Sequence, residues 1–129
     1  MHRMLADDRG SAPAEFVLVG ALLTVLTLSV IQLALALHVR NTVIDAAAEG
    51  ARFAALADNR LDDGVERTRE LITTALGESY ARDIRAAEGE ALGAPATVVT
   101  VRTPLPLLGL LGPDRALEVS GHAAREALD

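Results

Sequence analysis

Residues 16–37, FVLVGALLTVLTLSVIQLALAL, contain no charged side chain. Wound as an α-helix rising 1.5 Å per residue, the run is about 33 Å long, enough for a bilayer hydrocarbon core of about 30 Å. It is apolar all round, and a chain of 129 residues has no second layer able to surround such a helix. The pattern therefore predicts a transmembrane helix. Thr24, Thr27, Ser29 and Gln32 are compatible with it, since hydroxyls bond back to the helix and one amide can find a partner helix. Beyond residue 37 the all-round apolar pattern narrows to a stripe. Val39, Val43, Ala47, Ala51 and Ala54 recur at spacings of three and four, so the helix is expected to leave the membrane and continue to about residue 58. Ala46, Gly50 and Ala54 are small residues four apart, a spacing that lets two helix backbones approach closely.

Asp58-Asn59-Arg60 interrupts the pattern, and a second amphipathic helix is expected from Leu61 to about residue 87. Its stripe is Leu61, Val65, Ile72, Leu76, Tyr80 and Ile84, with a weak point at Gly77. Glu66, Arg67, Arg69 and Glu70 read as its solvated face, and Asp62-Asp63 as charge at its start. Glu88-Gly89-Glu90 reads as a solvated turn. After Gly93-Ala94-Pro95 the period shortens to two. Residues 97–102 are rich in β-branched side chains and residues 117–121 alternate, which predicts two strands paired antiparallel. Between them runs Pro104-Leu105-Pro106-Leu107-Leu108-Gly109-Leu110-Leu111-Gly112-Pro113, whose prolines forbid a central strand and whose leucines need cover. That cover is either the second helix, a neighbouring subunit or the membrane surface. The fold class is α+β: a long N-terminal transmembrane helix, a second helix and a small antiparallel hairpin, with residues 59–129 forming a small extracytoplasmic region.

Composition narrows the function. All twelve basic residues are Arg, against eighteen acidic ones, for a net charge of −6, and no basic cluster exists to hold nucleic acid phosphates. With no cysteine, thiol catalysis and thiolate metal sites are excluded. His2, His38 and His122 stand far apart without a carboxylate at metal-ligand spacing. No phosphate loop and no nucleophile elbow is present, and no carboxylate pair lies beside an apolar pocket able to raise a pKa. Neither an enzyme, a cofactor, a metal nor a small-molecule substrate is expected.

Ahead of the apolar run stands Arg9-Gly10-Ser11-Ala12-Pro13-Ala14-Glu15-Phe16. A carboxylate at the edge of a hydrocarbon run is costly if drawn inward, by about 2.5–3.5 kcal/mol at the helix centre, so Glu15 calls for a cation or a place among the headgroups. The segment resembles the processing site of type IV pilin-like proteins, a Gly followed by four residues and then Glu-Phe. The later run Ala46-Ala47-Ala48-Glu49-Gly50-Ala51-Arg52 is similar to the stretch that TadE-like minor pilins of tight-adherence (Flp) pilus systems carry after their membrane helix. The resemblance implies a leader of residues 1–10, removed after Gly10 by a prepilin-type peptidase, and a mature chain that begins at Ser11 with a helix over 11–58. It also implies that Glu15, next to Phe16, meets the Ser11 amine of a neighbouring pilin subunit. Other pilin subunits and the inner-membrane assembly platform are the implied partners. Asp7 and Asp8 depart from the basic leader usual in the family, and Ala123-Ala124-Arg125-Glu126 is similar to its ending.

Arginines flank the run on both sides, Arg3 and Arg9 before it and Arg40 and Arg52 after it, so charge leaves the orientation open. The longer C-terminal flank places the folding part outside the cytoplasm and the N-terminus within. Two rival readings stand beside the pilin one. Ala34-Leu35-Ala36 has the small-x-small form read by signal peptidase, which would release a soluble domain after Ala36, although the apolar run exceeds a usual signal core of about 7–15 residues. Alternatively the chain stays uncleaved as a bitopic accessory protein.

Overall fold

The computed structural model describes residues 2–56, 58–105 and 116–125, with the backbone alone for residues 2–9. Most of the leucine-rich connection, and Glu126, thus lie outside the described residues. Helix α1 (His2–Ala55) is followed by α2 (Leu61–Leu76), a 3-10 turn (Glu78–Tyr80) and strands β1 (Asp83–Ala91), β2 (Ala94–Pro104) and β3 (Ala116–Ala124). The chain divides into two compact units, Met1–Ala34 and Leu35–Asp129.

Among the described residues of the first unit, α1 is the only element. Large apolar side chains point outward all round it, among them Phe16, Leu22, Leu26 and Val30. Its stretch Gly10–Ala55 is the one helix among the described residues long and apolar enough to cross a membrane.

The second unit is built on the C-terminal part of α1. Val39, Val43, Ala47, Ala51 and Ala54, the stripe read from the sequence, are all buried. Against them pack Ile72 of α2 and the inner face of a three-stranded antiparallel sheet ordered β1-β2-β3. Strand alternation supplies that face. Ile84, Val101 and Val119 stand opposite one another across the sheet and all are buried, as are Val99 and its partner Gly121. The opposite face is more polar, with Thr100 and Ser120 joined through their hydroxyls at 3.0 Å. Pro95 and Pro104 stand near the two ends of β2, where a missing N–H interrupts no interior part of the ladder.

The sheet corrects two expectations. The second helix stops at Leu76 and does not reach residue 87, because Gly77 takes φ 106°, a left-handed value no helix interior accommodates. Residues 83–91 become β1, and Glu88-Gly89-Glu90 is part of that strand, not a turn. Tyr80 and Ile84 sit at helical spacing by coincidence, while Ile84 and Ala86 satisfy the strand period. Pairing decides the matter, since β2 is a central strand and needs a neighbour on each side. The turn is instead Leu92-Gly93, both at positive φ (54° and 79°), which suits a two-residue hairpin. The β2–β3 pairing expected from the sequence is present, with both strands longer than the segments that predicted them.

The sheet touches α1 most closely at Gly121. A Cβ there would lie 2.3 Å from Ala48 N and 2.4 Å from Ala47 C, so backbone meets backbone. Gly121→Ala should lower stability by about 2–3 kcal/mol through overpacking in a urea titration of the detergent-solubilised chain. Gly89→Ala, whose Cβ would meet only Val98 Cγ2 at 3.2 Å on the exposed face, should stay within about 0.5 kcal/mol of the parent.

Candidate functional site

Gly10, Ser11, Glu15 and Phe16 all lie within α1, exposed and next to no other element of the described chain. The Gly10–Ser11 peptide bond is thus helical here. Two local features weaken that helix. Gly10 has no Cβ and is a poor helix former, and Pro13 supplies no N–H for the carbonyl four residues earlier, that of Arg9. The backbone around the bond can open to an extended form at lower cost than elsewhere in α1. Phe16, 80% exposed, begins the lipid-sized apolar surface directly after the Glu15 carboxylate.

Two hydroxyls inside the run are satisfied along the helix. Thr24 Oγ1 donates to Gly20 O at 2.8 Å, and Ser29 Oγ donates to Val25 O at 2.7 Å. These bonds let both residues sit in hydrocarbon without a partner helix.

The small residues after the run have neighbours in their own chain. Gly50 faces Gly64 of α2, and a Cβ on Gly50 would fall 1.8 Å from Thr68 Oγ1 and 2.8 Å from Gly64 O. A Cβ on Gly64 would fall 2.6 Å from Ala54 Cβ and 2.7 Å from Gly50 O. Thr68 is buried between the helices and donates to Gly64 O at 2.8 Å and to Ala46 O at 3.4 Å. Ala46, Gly50 and Ala54 therefore line one intramolecular helix crossing. Gly64, Thr68 and Gly121 had not been singled out from the sequence. The usable signal was a lone Gly inside a helical pattern and another inside a strand pattern, each of which marks close backbone approach.

Helix ends are held locally. Asn59 Nδ2 donates to Phe53 O at 2.7 Å at the end of α1, and the Arg60 N–H donates to Asp63 Oδ2 at 2.7 Å at the start of α2. Asp62 and Asp63 stand in the first turn of α2, where the helix dipole favours them. Arg69 pairs with Glu66 and Arg67 with Glu70, both on an exposed face and worth little individually. At the far end of the sheet an open groove of about 1070 Å³ is bordered by Ala54, Leu56, Asn59, Arg60 and Glu88, the last paired with Arg125. Its carboxylate is thus engaged. Among the described residues no group of His, Asp and Glu could hold a metal ion.

The family model described as TadE-like protein matches residues 10–52. That is one third of the chain, and it takes in both segments on which the resemblance rests, Gly10 to Phe16 and Ala46 to Arg52, which bears the resemblance out. No curated protein and no solved structure matches the chain.

The crossing at Gly50 can be tested by a double-mutant cycle. Gly50→Ala should destabilise the folded unit by about 2–3 kcal/mol in the same urea titration. Adding Thr68→Ala removes the hydroxyl that the new Cβ strikes, so the double variant should recover at least about 0.5 kcal/mol relative to the sum of the single losses. Strict additivity would mean the two sites do not touch.

Proposed function

We propose that this protein is a minor pilin or pseudopilin, held in the membrane by residues 16–37, trimmed after Gly10 and used in assembling a tight-adherence (Flp) pilus or a related secretion apparatus. The observation that carries this reading is the family match over residues 10–52, because one matched segment joins the processing-type motif, the apolar run and the Glu-Gly-Ala-Arg stretch. TadE-like proteins are structural, and the role is one of assembly, not catalysis.

On this reading a prepilin-type peptidase acts on the Gly10–Ser11 bond, helped by the weak helix around Gly10 and Pro13. Cleavage frees the Ser11 amine at the end of an exposed apolar helix. In a bundle of such helices, Glu15 of one subunit meets that amine of another, and the pairing offsets the cost of drawing a carboxylate into an apolar layer. Partners are then the peptidase, other pilin subunits and the assembly platform, with the N-terminus cytoplasmic and the folded unit on the far side of the membrane.

One structural observation keeps the signal-peptidase reading alive. The core begins at Val39, so release after Ala36 would leave every buried residue of the second unit in place. The mature N-terminus separates the readings. Mass spectrometry of protein recovered from membranes should give a chain starting at Ser11, and Gly10→Leu should leave it untrimmed. A start at Leu37 would establish the released domain, and an intact Met1 end the uncleaved accessory protein.

Glu15→Gln keeps size and hydrogen bonding but removes the charge. This variant should insert and be trimmed as the parent is, while its crosslinking to neighbouring pilin subunits should fall at least tenfold, the effect of losing about 1.4 kcal/mol. Unchanged crosslinking would reduce Glu15 to a headgroup-level residue.

A further inference from the structure

Within the second unit, the direction of the strands relative to α1 fixes which end of the sheet lies nearest Leu35 and Leu37, the unit's first leucines. Gly121 of β3 sits on Ala47 and Ala48, while Ala54 and Ala124 both border the groove at the far end, so β3 advances in the same sense as α1. Strand residues rise about 3.3 Å and helix residues about 1.5 Å. Going back from Gly121 to Ala116 is a step of about 17 Å, or about eleven helical residues, which arrives at the level of Leu37. The apolar run ends there. The end of β2 at Pro104, paired with Ala116, lies at the same level, followed by Leu105.

This end of the sheet also gathers unpaired arginines. Arg52, Arg67, Arg69, Arg85 and Arg125 each have an ion-pair partner. Arg40, Arg82 and Arg102 are exposed and have none among the described residues. Arg102 is registered against Asp83 and Glu118, about 10 Å from Gly121 along the strand and therefore near the level of Arg40. Arg82 adjoins Asp83. Asp83 is already engaged by Arg85 at 3.3 Å. Arg60, the remaining arginine without an ion pair among the described residues, lies beside the groove at the opposite end.

We infer that the end of the folded unit formed by Arg40, Arg82, Arg102, Pro104 and Leu105 rests on the leaflet that α1 enters at Leu37, with the three guanidinium groups on anionic lipid headgroups. The inference rests on residues 16–37 being the membrane span. The occupant follows from continuity with that span, whose last residues, Leu35 and Leu37, belong to the same compact unit as the sheet. It follows also from charge. Guanidinium groups bind phosphate through paired N–H donors, and each basic residue near an anionic surface adds an attraction of about fivefold in partition. Leu105, half-buried beside Pro104, would leave less apolar surface open to water at headgroup depth.

The chain has no cysteine, so single-cysteine variants carry a fluorophore at one chosen place. Leu105→Cys reports the proposed contact, Ala116→Cys gives a second probe at the same level should the first disturb the strand end, and Leu92→Cys marks the opposite tip. The full chain is reconstituted in vesicles of phosphatidylcholine alone or mixed with phosphatidylglycerol, and flotation with carbonate extraction scores membrane insertion separately. Iodide quenching at positions 105 and 116 should be several-fold weaker than at 92 in the mixed vesicles, and spin-labelled lipid should quench 105 and not 92. The triple variant Arg40→Gln, Arg82→Gln, Arg102→Gln should insert equally while losing the dependence on phosphatidylglycerol. Extraction by carbonate would overturn the span and the inference together. An inserted chain whose positions 105 and 116 are as open to iodide as 92 would overturn the inference alone, leaving an acidic protein face as the better partner for the arginines.

Discussion

The contact between the backbone of α1 and its two neighbours is the constraint on which the folded unit depends. Residues 46–51 are almost entirely Ala and Gly, so α2 and β3 can both come against the helix backbone without intervening side chains. On one side Gly50 and Gly64 face each other with Thr68 sealed between them; on another Gly121 lies on the Ala47–Ala48 peptide. Close approach of this kind gives dispersion contact over backbone as well as side chains, and it tolerates no added methyl group. The rest of the core is modest, built on Val, Ile and Ala with no aromatic ring among the fully buried residues. A core so short of large side chains gains its fit from proximity instead of volume.

The same helix serves two solvents. Up to residue 37 its outward leucines and valines suit hydrocarbon, and from Val39 onward its stripe is covered by protein. Hydroxyls are handled differently in the two parts. Thr24 and Ser29 close back on their own helix only, while Thr68, besides its 2.8 Å bond to Gly64 O of its own helix, also comes within 3.4 Å of Ala46 O on α1. In lipid a hydroxyl without a helix partner has only its own backbone to use, whereas in the protein core it can join two elements.

Much of this was legible in the sequence because the periods were clean. The uncharged run and the stripe at Val39, Val43, Ala47, Ala51 and Ala54 both carry through to the structure. The β-branched residues around Val99 and the alternation around Val119 gave β2 and β3 for the same reason. Strand β1 was not legible. DIRAAEGEA has few β-branched residues and its charges fit a helix face equally well, so only the need of β2 for a second neighbour decides it. At the candidate site, Gly10, Ser11, Glu15 and Phe16 are named through the resemblance to a pilin-type processing segment, which is linear and needs no tertiary contact to be read. The partners of Gly50 could not be, because they come from α2 and depend on how two helices cross. Arg82, next to Asp83, and Arg102 reach the same end of the sheet only through strand register, which no single segment of sequence contains.

The hairpin tip has a bearing on how this protein could change over time. Leu92 occupies a left-handed conformation at φ 54°, where Asn or Gly is at ease and a leucine is strained by about 1–2 kcal/mol, and its side chain is fully exposed. Neither burial nor hydrogen bonding compensates for it. A replacement by Asn or Gly would add stability without altering the core, the apolar run or the α1 crossing. Position 92 is thus a reserve that could offset a mildly destabilising change elsewhere, though not the whole cost of a methyl group at the tightly fitted glycines.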